Sequence, residues 1–98
     1  MAHEGLHEDA KQLSDTTIDY HRAVVSLIEE LEAVDWYNQR VDVCKDEGLK
    51  AILAHNRDEE KEHAAMLVEW LRRRDEALEH ELRDYLFTDR PITEIEEG

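Results

Sequence analysis

The chain has little of what punctuates or cross-links a fold. Its 98 residues include one proline, three glycines, one cysteine and six aromatic side chains. So few turn formers disfavour a sheet of many short strands. A single cysteine, Cys44, excludes an intrachain disulfide and suits a reducing cytoplasm; with no cysteine beside it, it reads as an inert thiol. Basic residues are scarce too, 12 Lys and Arg against 26 Asp and Glu, for a formal net charge of -14. That balance argues against nucleic acid or an anionic membrane as a partner, and is compatible with attracting cations. No apolar run approaches the roughly 18 residues of a membrane span. The opening stretch, Met1 to Glu8, lacks the basic and apolar regions of a secretory signal, so a cytoplasmic protein is expected.

What remains is long and helical. Hydrophobic residues make up 41% of the chain, too many for a disordered acidic tail. From Ser14 to Val43 there is no Gly or Pro, and Tyr20, Val24, Leu27, Leu31 and Val34 recur at steps of three and four. A break at Cys44 to Gly48 precedes a second periodic run, Glu47 to Arg74, which closes on three arginines suited to a helix carboxyl end. A shorter helix is expected from Glu76 to Phe87, with Pro91 stopping it. Residues 1–12 and 93–98 read as flexible ends of one domain spanning 1–98. Each long helix would measure roughly 40–45 Å, and the short connection makes them an antiparallel hairpin. Two helices alone enclose almost no core, so the broad apolar faces should be hidden against copies of the same chain.

Some charged residues occupy apolar positions. At 100° per residue, Asn56, Glu60 and His63 fall inside the second helix's apolar arc with Leu49, Ile52, Leu53, Leu67, Trp70 and Leu71. A carboxylate there has to be neutralised, paired or metal-bound. Glu60 and His63 form a Glu-x-x-His pair, three residues apart on one face. Glu30 lies at the edge of the first helix's stripe of Ala23, Leu27 and Val34, two turns before Tyr37. Di-iron carboxylate sites in four-helix bundles take a Glu from each of two helices and a Glu-x-x-His from each of the other two. One chain therefore carries half a site, and two chains would carry a whole one. Carboxylates with one imidazole per metal suit iron. The same residues also fit a buried ion pair or hydrogen-bonded core histidine for Glu60 and His63, and a solvated edge carboxylate for Glu30.

Two further acidic groups follow helical spacing. Glu29, Glu32 and Trp36 share one stripe of the first helix, and His55, Glu59 and Glu62 flank the arc of the second. Either could hold a hard cation such as calcium through oxygen ligands, or be a solvated face. Trp36 and Trp70 also read as core or interface anchors. The other histidines, His3, His7, His21 and His80, form no constellation. Phosphate loops, Cys-x-x-Cys pairs, His-Glu-x-x-His and nucleophile elbows are absent from the sequence.

The stretches from Glu29 to Tyr37, from His55 to Met66 and from Glu69 to Arg73 resemble the encapsulated ferritins, and Tyr85 to Thr88 with Pro91 to Thr93 look like that family's carboxyl-terminal part. The resemblance implies a ferroxidase that oxidises Fe(II) to Fe(III) with dioxygen. It implies an all-α fold, an antiparallel hairpin plus a short third helix, pairing into a ferritin-like four-helix bundle, with five dimers closing into a ring. By position, Glu30, Glu60 and His63 would hold two irons per dimer interface, with Tyr37 close by. Glu29, Glu32 and Trp36 would match the family's iron-uptake site, and His55, Glu59 and Glu62 its outer metal site, where calcium binds. An encapsulin shell would be the partner that stores the oxidised iron, placing the protein inside a nanocompartment in the cytoplasm. Family members carry a short shell-directing peptide beyond the helical domain; here the sequence ends at Gly98 in an acidic stretch, so the shell is expected from the family alone. The alternative to this enzyme is a non-catalytic acidic helical module that oligomerises or binds calcium.

Overall fold

The computed structural model describes residues 5–96. Three α-helices account for most of them: α1 (Asp15–Val43), α2 (Glu47–Arg74) and α3 (Glu76–Tyr85). No strand occurs among the described residues. Short 3-10 turns, Ala10–Gln12 and Ile92–Glu94, flank them. His3, the first four residues of the amino-terminal stretch and the last two of the acidic tail lie outside the described residues.

Each helix starts where a short polar side chain takes up a free backbone N–H. The Ser14 hydroxyl accepts from the Thr17 amide at 3.1 Å, Asp46 from Leu49 at 2.8 Å and Asp75 from Leu78 at 3.0 Å. The break between the long helices is tighter than the sequence implied. It spans only Cys44 to Asp46, and Gly48 lies within the first turn of α2. At the other end of α2, Arg72 and Arg73 both pair with Glu69 at 2.7 Å, and Arg74 stacks over the Trp70 ring at 4.5 Å. Helix α3 stops two residues earlier than expected, and well ahead of Pro91. Leu86 is extended and Phe87 takes φ 62, a left-handed backbone that cannot continue a helix.

The chain buries little. Ala23 on α1, Ala64 and Leu71 on α2, and Ile95 beyond α3 are its buried apolar residues. Leu31, Trp36, Ile52 and Met66 stay more than half exposed along the hairpin, and Phe87 is fully exposed. The radius of gyration is 17.2 Å, with extents of 50 × 40 × 19 Å. A compact chain of this length would have a radius near 13 Å. This is a slab one hairpin thick, with apolar side chains facing solvent that a single chain has no means of covering.

Candidate metal centre

Glu30 on α1 and Glu60 and His63 on α2 meet at the seam of the hairpin. One ligand atom from each lies within 4.8 Å of the other two. His63 Nδ1 is 3.0 Å from Glu60 Oε1 and 3.4 Å from Glu30 Oε1. All three side chains are partly covered, Glu60 most of all at 24% exposed. The helical spacing of Glu60 and His63 aims the carboxylate and the imidazole at one face; antiparallel packing then sets Glu30 opposite them.

The charges respond to this crowding. Glu30 has its pKa raised, first by sharing a hydrogen bond with the Glu60 carboxyl, then by burial and by the Glu60 charge. Glu60 is lowered, by the same bond from Glu30 and by His63. His63 is raised, chiefly by its hydrogen bond to Glu60, with both carboxylates adding to it. In the metal-free chain the Glu30 carboxyl therefore holds a proton more readily than a free glutamate does, and the His63 imidazole more readily than a free histidine does. Two carboxylates and one imidazole converging from two helices are a hard-to-intermediate donor set that fits iron, and three donors leave coordination positions for a second source of ligands. Metal would displace those protons, so the cluster is assembled around charge that only a cation or protons neutralise.

The other candidates are placed differently. Tyr37 is partly buried two turns along α1 from Glu30, with the Arg40 guanidinium over its ring at 5.3 Å. Glu29 and Trp36 are exposed and Glu32 is partly covered. On α2, His55 Nε2 lies 4.0 Å from Glu59, both largely in solvent, and Glu62 is exposed. Within one chain neither of these trios closes into a metal-sized group. His80 pairs with Asp84 at 3.3 Å, outside any such cluster.

Two polar links across the hairpin escaped the sequence reading. Tyr20 donates to Asp75 at 2.6 Å, and Arg57 Nη1 donates to Asn38 at 3.1 Å. None of the four stands out on its own helix; only the pairing of the helices reveals them.

The EncFtn-like family model matches residues 5–89. An encapsulated ferritin-like protein of Rhodospirillum rubrum is 63% identical over 90 residues, covering 92% of this chain and 64% of that protein. A ferritin-like protein of Thermotoga maritima is 59% identical over 91 residues, 93% of this chain and 80% of the relative. An encapsulin nanocompartment cargo protein of Myxococcus xanthus is 46% identical over 46 residues, 47% of this chain and 35% of its own length. The crystal structure of a Nitrosomonas europaea protein superposes with a TM-score of 0.87 at 69% identity, covering 90% of this chain and 97% of that one. The chain thus spans less than two thirds of the Rhodospirillum relative. The family match over nearly all of the hairpin and third helix, joined to that level of identity, makes this chain a member of the encapsulated ferritin family.

Proposed function

We propose that the protein is a ferroxidase that oxidises Fe(II) to Fe(III) with dioxygen, at a two-iron site formed where two copies of the hairpin pair. The observation that carries this reading is the convergence of Glu30, Glu60 and His63, three ionisable donors held on the seam of a hairpin whose apolar flanks are uncovered. A second chain brings the same three donors and completes a four-helix arrangement of the di-iron carboxylate kind. Iron is the substrate here. Each Fe(II) gives up one electron, and dioxygen takes up protons as it is reduced.

The chain's own residues do three things in this scheme. Glu30 and Glu60 supply negative charge that favours the ferric product over the ferrous substrate. His63 fixes the Glu60 carboxylate by its 3.0 Å contact and offers a neutral nitrogen donor once deprotonated. Tyr37, two turns along the same face of α1, is the aromatic group this reading assigns to the site. The outer acids serve supply and assembly in this reading: Glu29, Glu32 and Trp36 as an iron-uptake site, and His55, Glu59 and Glu62 as a second metal site open to calcium. Pairs of chains close into a ring of five dimers. The cargo and encapsulated relatives support an encapsulin shell as partner and a cytoplasmic nanocompartment as location, with the oxidised iron stored there.

Aerobic Fe(II) oxidation, followed by ferric absorbance, tests the reading. The parent should oxidise iron well above a protein-free blank. His63→Ala and Glu60→Ala should fall to the blank while their helical circular dichroism persists. Variants that keep the parent's rate would remove these residues from the site, and a parent no faster than the blank would favour the non-catalytic calcium-binding module.

A further inference from the structure

The two links across the hairpin share one geometry. Tyr20 and Asn38 are 18 residues apart on α1, and Arg57 on α2 and Asp75, the extended residue just past its end, are also 18 apart, with the order reversed as an antiparallel pair requires. Eighteen residues are five full turns, so α1 presents Tyr20 and Asn38 on a single stripe about 27 Å long. Glu30 lies between the two links along α1, and about 80° around the helix from both. The site therefore occupies one edge of the seam, and a pair of directional bonds brackets it along the neighbouring stripe.

The site's own contact, His63 to Glu30 at 3.4 Å, is a further polar link between α1 and α2. The three-residue turn sets register only at one end. Two of the hairpin's buried positions are alanines, which permit close approach and offer few protrusions to resist sliding. At the site itself, Glu30 and Glu60 are like-charged groups that push the helices apart whenever neither proton nor cation lies between them. Asp75 is held from a second direction, since it also caps α3, so the Tyr20 link is anchored where all three helices meet.

We propose that the Tyr20–Asp75 and Asn38–Arg57 bonds set the register of α1 against α2, making these four positioning residues that hold Glu30 against Glu60 and His63. The proposal rests on the three-residue metal site described above and touches none of its ligands. A register shift of a single residue moves Glu30 by 1.5 Å and swings it 100° around α1, enough to empty its side of the site. Loss of a group hydrogen-bonded to a metal ligand typically changes metal affinity ten- to a hundredfold, and displacing the ligand Glu30 itself should cost at least the lower figure.

The test uses the full chain with Tyr20→Phe, Asn38→Ala and the pair combined, each checked for helical circular dichroism. The first readout needs no metal: the His63 ring resonances. Tyr20 is about 15 Å along α1 from Glu30, too far to reach that ring directly. The combined variant should shift the resonances toward those of Glu30→Ala, and Asn38→Asp, which keeps an acceptor for Arg57, should leave them in place. The second readout is anaerobic Fe(II) calorimetry, where the combined variant should bind about tenfold more weakly than the parent. Ring resonances that match the parent's in a folded combined variant would overturn the proposal, as would unchanged Fe(II) affinity. Should the combined variant not fold, Tyr20→Phe alone decides on the same terms. A parent that binds no Fe(II) would sink the ferroxidase reading instead, and the resonances would still decide whether the links set register.

Discussion

The seam of the hairpin and its outer acidic stripes hold the same residue types and behave oppositely. At the seam, Glu30, Glu60 and His63 crowd within 4.8 Å, and the pKa of each is displaced by the other two. On the outside, His55 and Glu59 are 4.0 Å apart in solvent, and Glu29 and Glu62 are exposed. Spacing along one helix is equally regular in both regions. The difference is that the seam groups come from two helices, so packing forces them together and strips part of their water. A stripe on one helix keeps most of its charges facing solvent until another chain faces it. Convergence across elements, rather than periodicity within one, distinguishes a candidate site from a charged surface.

The largest effect that sharpens this contrast is on packing. Leu71 is 5% exposed, the most buried side chain of the seam. Leu71→Ala should cost about 2–4 kcal/mol, read as a lowered denaturation midpoint, because a chain with so few buried residues has little material to refill the gap. Glu29→Ala, on the stripe, should leave the midpoint near the parent's. Equal losses would mean that the stripe is as tightly packed as the seam in the assembled protein. Next comes metal affinity. Glu60→Ala should weaken Fe(II) binding by more than about tenfold, whereas Glu59→Ala, its neighbour in sequence, should stay within about twofold in the chain before assembly. If Glu59→Ala is the more damaging, the contrast drawn here is reversed and the outer group is the primary site.

Much of this was legible in the sequence, for identifiable reasons. The helices were, because an uninterrupted three-and-four spacing has one solution. Glu60 and His63 stood out because they occupied apolar positions, and Glu30 because it sits at the edge of the first helix's apolar stripe as the carboxylate a half-site needs. The end of α3 was not legible: nothing in Leu86 or Phe87 forbids another turn, and the chain leaves the helix there by a left-handed residue. The Tyr20–Asp75 and Asn38–Arg57 links were hidden for a different reason. Tyr20 reads as one more apolar stripe residue and Asp75 carries no sign of a partner, and their meeting depends on a register that no single helix encodes.

The smallest effect concerns pH, and it concerns a carboxylate outside both regions. Glu69 accepts from Arg72 and Arg73 at the end of α2, and these guanidiniums lower its pKa to about 2. Arg72 also reaches Glu79 on α3 at 3.4 Å, and Arg83 pairs with that same Glu79, so the cluster ties α2 to the third helix. A carboxylate whose folded pKa lies below its unfolded value near 4.5 binds protons more tightly when unfolded. Its contribution is therefore complete above about pH 4.5 and is lost as pH falls toward 2. Thermal midpoints measured between pH 6 and pH 2.5 should decline less steeply in Glu69→Gln than in the parent, and the two curves should run parallel above pH 5. Because the group is solvent-screened, the difference should be modest and should shrink in high salt. Curves that stay parallel down to pH 2.5 would show that the arginine cluster is a solvated surface feature.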